Sequence, residues 1–246
     1  MGLYKTKALV LRSRKYQETD CLLTLLTQKK GKISAIAKGV RKPNSRLRGG
    51  VQLFTHNEML LNEGRNLDIV TQSECLEAFS IVGTDLEAMA VACYWCELLD
   101  SFLPLEQNDE ELYTLALAGF HFLALEHQEL QVRALEIKLL TSLGYMPSLD
   151  KCVFCGQPVE MEKRVFFAVH LGGVLCSACD KEDAMIFSIE ALKAWQQIQR
   201  MELSKLNRLK VSKAGLRILD GVLEKFLIYQ LDYPLKSRQV LKDIWG

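Results

Sequence analysis

Four cysteines in two close pairs constrain this chain more than any other feature: Cys152 and Cys155 in Cys-Val-Phe-Cys-Gly, then Cys176 and Cys179 in Cys-Ser-Ala-Cys. Two such pairs, twenty residues apart, read as a four-thiolate zinc site. Each pair fits a tight turn that aims two sulfurs at one ion about 2.3 Å away, and the intervening stretch is long enough for a short returning hairpin. Gly156 and the Gly172-Gly173 step supply the turn freedom this requires. Two disulfides, a thioredoxin-like redox pair and chance are the competing readings. The redox reading needs one CxxC beside a βαβ pattern, which this sequence lacks. Four thiolates leave no position for water or substrate, so one structural zinc per chain is expected.

The remaining cysteines carry no such signal. Cys93 and Cys96 form another CxxC, but in Ala-Val-Ala-Cys-Tyr-Trp-Cys-Glu-Leu-Leu, where the period is helical and cysteine behaves as a small buried hydrophobe. Cys21 and Cys75 are isolated. Free thiols in this number fit a reducing compartment.

With 246 residues, 49% hydrophobic and 25% charged, the chain can bury a sizeable core in one to three domains. No apolar stretch follows the basic start as in a signal peptide, and no apolar run approaches the ~18 residues of a membrane span. A cytoplasmic protein, with no membrane partner, is expected. The net charge of +1 conceals an asymmetry. Residues 1–50 hold thirteen bases against two acids, net +11, and residues 51–150 three against seventeen, net −14. Residues 151–246 hold fifteen against eleven, net +4. Such imbalance points to a polyanionic partner for one part of the molecule.

The basic segment has strand character. Thr6 to Arg12, Cys21 to Thr27 and Lys32 to Lys38 are strand-like runs, followed by Val51 to His56, Glu58 to Asn62 and a weaker run from Leu67 to Thr71. Five or six short strands punctuated by glycines describe a small barrel, and the OB-fold is the five-stranded barrel of this size that binds oligonucleotides. Arg12, Arg14 and Lys15 cluster after the first strand, and Lys38, Arg41, Lys42, Arg46 and Arg48 crowd the loop Lys38-Gly-Val-Arg-Lys-Pro-Asn-Ser-Arg-Leu-Arg-Gly-Gly50. These eight are the candidate DNA-binding residues, acting on phosphates and carrying little sequence information. A solvated basic face is the alternative. Tyr4, Tyr16 and Phe54 are the few aromatics that could stack on bases, and Phe54 suits the core.

From residue 84 the period lengthens to 3.6. Thr84 with Glu87 forms a capping-box start for a helix ending before Pro104. A second helix begins near Asn108, and a third, from about Glu129, stops at Gly144 and Pro147. Beyond the cysteines, Ser188 caps a helix and Ser212 opens a longer one that Pro234 ends, with Ser237 as the cap of a short final helix. The expected architecture is α+β: an N-terminal OB-fold barrel over 1–82, then a helical domain over 83–246 with the zinc module inserted at about 148–186 as a projecting hairpin stapled by metal. The junction falls between Ile81 and Thr84.

Catalytic signatures are missing. There is no Gly-rich loop ending in Gly-Lys-Ser/Thr, no Gly-x-Ser-x-Gly elbow and no His-Glu-x-x-His. Of four histidines, His170 lies between the cysteine pairs but the site is already full, His121 suits a helix face and His127 a helix end. A zinc-dependent hydrolase would need an open metal position, and no enzyme is expected. A zinc-stabilised scaffold whose basic domain docks an acidic protein is the alternative to DNA binding.

Several motifs, in order, resemble the RecO family of bacterial recombination mediators over essentially the whole length. They are Ala-Leu-Val-Leu-Arg with Tyr16-Gln-Glu-Thr-Asp20, Leu26-Thr-Gln-Lys-Lys-Gly31, Lys38-Gly-Val-Arg41, Leu143-Gly-Tyr-Met-Pro147 running into the first cysteine pair, Gly172-Gly-Val-Leu-Cys176, and Tyr233-Pro-Leu-Lys-Ser237. The resemblance implies an OB-fold, a helical domain with a zinc-binding insertion, and binding of single- and double-stranded DNA. It further implies strand annealing, work with RecR to load RecA onto DNA coated by single-strand-binding protein, contact with that protein's acidic C-terminal tail, and a cytoplasmic, nucleoid-associated location. Arg133 and Lys138, isolated bases in the acidic middle, are candidates for the tail contact, with an exposed solvated face as the alternative reading.

Overall fold

Strand β1 (Leu3–Tyr16) runs through Ala8-Leu-Val-Leu11, four consecutive apolar residues that are all buried. A strand hydrophobic on both faces must be covered on both. The computed structural model, which describes residues 2–79, 85–126, 128–160, 165–179 and 182–245, shows how this is met. β1 pairs antiparallel with β2 (Asp20–Thr27) on one side and β4 (Thr55–Asn62) on the other. β3 (Gly31–Ala37) pairs with β2, and β5 (Asp68–Ala78) with β4. A short parallel pairing, Ala35 with Asp68 and Ile36 with Ile69, closes the barrel in the order β1-β2-β3-β5-β4. This is the five-stranded OB topology.

Residues two apart point inward: Ala8 and Val10, Leu23 and Leu25, Ile33, Ala35 and Ala37, Met59 and Leu61. The outward face of β1 meets helix α1 (Leu86–Phe102). Lys32 and Arg12 of the barrel both pair with Asp100 of α1, at 3.4 and 2.9 Å. Helix α2 (Glu110–Leu125) brings Phe120 between Phe54 and Phe79, and Trp95 donates its indole N–H to the Ala116 carbonyl. The last helix, α6 (Lys236–Trp245), packs on α1, with Arg238 donating to the Tyr94 hydroxyl at 2.9 Å.

Some expected boundaries move. The runs expected at Val51–His56 and Glu58–Asn62 are one strand starting at Thr55, because residues 49–51 form a single 3-10 turn and Phe54 takes a left-handed backbone (φ 62°) that breaks extension. The weak run at Leu67–Thr71 is the start of the eleven-residue β5. Thr84, the expected cap, and the junction from Ile81 to Thr84 lie outside the described residues. Asp85 caps α1, its carboxylate accepting from the Glu87 N–H at 3.0 Å. Ser237 is not a cap but lies inside α6. Its N–H and hydroxyl, with the Lys236 N–H, donate to the Glu97 carboxylate, so α1 supplies the acceptor that caps α6.

Contacts divide the chain into Met1–Leu125 with Leu235–Gly246, and Glu126–Pro234. The expected division at 82/83 follows the change of period, whereas compactness keeps α1, α2 and α6 with the barrel. The second unit contains α3 (Glu129–Ser142), a three-stranded sheet β7-β6-β8 (Gly173–Leu175, Val165–Ala168, Met185–Phe187), α4 (Ile189–Arg200) and α5 (Lys213–Leu231). Ser188 and Ser212 cap α4 and α5 as expected. The Glu190 carboxylate also accepts from the Ser212 N–H and hydroxyl, at 2.7 and 2.6 Å. Phe167 of β6 stacks on Trp195 of α4 at 5.8 Å and meets Phe226 of α5 edge-on. The cysteine module is therefore not a projecting hairpin: one face of its sheet belongs to the core of this unit. Among the described residues, no helix is long and apolar enough to cross a membrane.

Candidate metal centre and nucleic-acid interface

The two cysteine pairs flank the β6-β7 hairpin, Cys152 and Cys155 ahead of β6 and Cys176 and Cys179 just after β7. Val153 and Val174 are joined by a main-chain hydrogen bond of 2.9 Å, and Ser148 bonds to Gly172, so both turns close at one end of the sheet. A side chain at Gly173 would lie 2.5 Å from Val153 and 2.7 Å from the Ser148 carbonyl, so glycine lets the two segments approach.

All four sulfurs fall within 4.8 Å of one another. Measured pairs are 3.8 Å (Cys152–Cys179), 3.8 Å (Cys155–Cys176) and 3.5 Å (Cys176–Cys179). Four bonds of about 2.3 Å at the tetrahedral angle would set sulfurs about 3.8 Å apart. The cluster thus has the donor set and spacing of a metal site and is compatible with zinc, and all eight cysteines of the chain are free thiols. Burial opposes ionisation of Cys152, yet main-chain N–H groups of Cys155, Cys176 and Phe154 hold it down at about 6. Cys179 is pushed up to about 12, by its hydrogen bond with Cys176 first, since sulfurs this close cannot all carry charge without a cation. His170 sits in the turn before β7, its carbonyl accepting from Tyr229, and takes no part in the cluster.

The basic residues, two clusters in sequence, are brought together by the barrel. Pairing sets Lys15 opposite Cys21, and Cys21 opposite Ala37, so the end of β1 and the end of β3 lie at the same end of the barrel. The loop after β3 is fastened to the β1-β2 turn by three bonds. Arg41 N–H donates to the Thr19 carbonyl (2.9 Å), Arg41 Nη1 to the Glu18 carbonyl (2.8 Å) and Gly39 N–H to the Asp20 carboxylate (2.7 Å). Val40, Leu47 and Val51 pack on the barrel core, while Lys38, Arg41, Lys42, Arg46 and Arg48 stay exposed between them. Arg14, Lys15 and the aromatic Tyr16 are exposed on the adjoining strand end.

Elsewhere on the barrel the basic residues are fewer and half of them are paired, with Lys7, Lys29 and Arg65 left exposed without an ion pair among the described residues. Lys5 pairs with Glu58, Lys30 with Glu63 at the opposite end, and Lys32 with Asp100. Among the described residues, Arg14, Lys15, Lys38, Arg41, Lys42, Arg46 and Arg48 make no ion pair, whereas Arg12 is bound to Asp100. Tyr4 lies at the far end, bonded to Asp68 beneath Lys30, and Phe54 is buried as expected.

Arg133 is neither on an exposed face nor open to a partner. It is 1% exposed and paired with Asp220 and Glu136, because α3 is buried on the side where α5 crosses. Lys138 is half-buried and donates to the Gln199 carbonyl. His121 lies on the exposed face of α2 near Glu77, and His127 lies outside the described residues. Sequence reading missed His56, buried in β4 and hydrogen-bonded to the Tyr113 hydroxyl at 2.9 Å; no local pattern marks a histidine whose partner is 57 residues away.

A closed OB barrel with an exposed basic end, in a chain that also carries a helical unit with a four-cysteine cluster, has the make-up of an oligonucleotide-binding protein. A family profile described as Recombination protein O N terminal matches residues 1–79, and one described as Recombination protein O C terminal matches residues 83–239. The chain is 36% identical to the DNA repair protein RecO of Desulforamulus reducens, over 100% of this chain and 96% of that one. It is 37% identical to those of Heliobacterium modesticaldum (99% and 91% covered) and Moorella thermoacetica (100% and 92%). The chain belongs to the RecO family of DNA repair proteins.

Proposed function

We propose that this protein is a non-enzymatic recombination mediator. It binds single- and double-stranded DNA through the basic end of its barrel, anneals complementary strands, and with RecR helps load RecA onto DNA coated by single-strand-binding protein, whose acidic tail it also contacts. The observation that carries the reading is the convergence of Arg14, Lys15, Lys38, Arg41, Lys42, Arg46 and Arg48 on one end of the barrel. Annealing asks for two phosphate backbones to be neutralised without reading bases, and exposed, unpaired cations on a fastened loop offer that. Arg12, engaged with Asp100, orients rather than leads. Cys152, Cys155, Cys176 and Cys179 hold one structural zinc, which locks the two turns beside β6 and β7.

The test reverses the charge of Lys42, Arg46 and Arg48 together, leaving Arg41 in place because it also fastens the loop. Oligonucleotide affinity at low salt is expected to fall by orders of magnitude, and the slope of log affinity against log salt to shrink by about 0.9 for each duplex phosphate no longer neutralised. Unchanged affinity in a folded triple variant refutes this interface. Salt-insensitive binding by the unaltered protein favours the scaffold reading.

A further inference from the structure

On the outside of the barrel, β1, α1 and the start of α6 enclose an open cleft of about 240 Å³. Its floor is apolar, made by Leu11, Phe54 and Cys96, all buried. Leu53, 37% exposed, forms one lip, and Cys93 lies half-buried on the α1 side. Arg12 and Arg14 supply the β1 wall. The Arg12 guanidinium is tethered by Asp100 at 2.9 Å, which limits its freedom before any ligand arrives. Glu97, which lines the cleft, is engaged by the N–H groups of Lys236 and Ser237 at the start of α6, which offset its charge.

We propose that this cleft takes one unpaired base from a single-stranded polynucleotide whose phosphates run onto Arg14 and the basic end. The inference rests on the reading of that end as a DNA interface. Three features select this occupant. The volume is below the ~300–1,000 Å³ of pockets for drug-sized ligands and suits a single flat ring system. An arginine beside an apolar floor offers a stacking surface for a base, which has a π-face whatever its identity. Arg14 belongs both to the cleft and to the exposed basic end, so a strand lying on the loops reaches the cleft without a break in charge. A duplex, with its bases paired and stacked, cannot fill it.

The test uses the full-length, metal-loaded protein and an oligothymidylate carrying one central 2-aminopurine, beside a blunt duplex of equal length. The unaltered protein is expected to change the 2-aminopurine emission on binding and to slow iodoacetamide modification of Cys93, relative to Cys75 on the barrel, with the single strand but not with the duplex. In Leu53→Ala the ratio of single-strand to duplex affinity is expected to fall about five- to tenfold, and most of the emission change with it. Tight, salt-sensitive binding with no protection of Cys93 and an unchanged ratio in Leu53→Ala overturns the cleft while leaving the basic end as a DNA interface. Protection of Cys93 by an acidic peptide with an apolar end, and not by the single strand, assigns the cleft to a protein and overturns it equally. Failure of every oligonucleotide to bind overturns both readings.

Discussion

Arg41 donates from Nη1 to the main-chain carbonyl of Glu18 at 2.8 Å, so a side chain of the β3-β4 loop holds the turn between β1 and β2. With the Arg41 main-chain bond to Thr19 and the Gly39 bond to Asp20, this makes one fastened surface out of two loops that sequence places about twenty residues apart. Cations on a fastened surface lose less conformational freedom when a phosphate arrives than cations on a free loop.

The docking of that loop should depend on pH through Asp20. The Gly39 N–H, aided by the Thr19 hydroxyl and by Lys38 and Lys42, holds the Asp20 carboxyl below its ordinary value of 3.8, against the smaller effect of burial. A carboxylate depressed by folding contributes stability above its unfolded pKa and loses it as pH falls through the folded value. Hydrogen exchange at Gly39 and Arg41 is expected to stay slow near neutrality and to lose protection as pH drops below about 4. In Asp20→Asn, protection should be reduced already at pH 7. Equal protection in both proteins across this range would show that Asp20 does not fasten the loop.

Arg133 should be among the least replaceable residues of the second unit. Arg133→Met removes the guanidinium that pairs with the fully buried Glu136 and the partly buried Asp220. Removing one partner of a buried pair typically costs about 3–5 kcal/mol. Urea denaturation is expected to show a destabilisation of that order, and Arg133→Met with Glu136→Gln should recover part of it.

Gly119 lies within α2, where glycine is ordinarily unfavourable. A Cβ there would sit 2.6 Å from the Trp95 ring, so the small residue lets the indole reach the Ala116 carbonyl. Gly119→Ala is expected to destabilise by about 1–2 kcal/mol, overpacking outweighing the gain in helix propensity. A shift in Trp95 fluorescence should accompany the drop in the denaturation midpoint.

Metal content checks the cysteine cluster. Elemental analysis is expected to find one zinc per chain, and the pair Cys152→Ser and Cys176→Ser to abolish it, lowering the thermal midpoint by several degrees. The drop should stay modest beside that of a free-standing zinc finger, because Phe167, Trp195 and Phe226 anchor the sheet independently of the metal.

The cysteine cluster is legible in the sequence because its signal is local: two short turns, each with two thiols at fixed spacing, return to one point across a hairpin. The barrel strands are legible for the same reason, since period-two burial is written residue by residue. The caps of α1 and α6 are not. Thr84 and Ser237 have the right chemistry for caps, but Asp85 and a Glu97 carboxylate 140 residues from Ser237 supply the acceptors. Arg133 reads as a solvent-facing base in an acidic stretch, because no pattern within α3 reveals that Asp220 will lie across it.

Sequence by itself determined most of the elements, the two cysteine pairs and the excess of positive charge in the first fifty residues, each a property of neighbours along the chain. Only the tertiary structure decided which charges remain free. Barrel closure sends Lys5, Lys30, Lys32 and Arg12 to carboxylates, and gathers Arg14, Lys15, Lys38, Arg41, Lys42, Arg46 and Arg48 at one end, none of them in an ion pair among the described residues. Strand register sets those distances, and register is fixed by burying Val10, Leu25, Ile33 and Met59 together rather than by any charged residue.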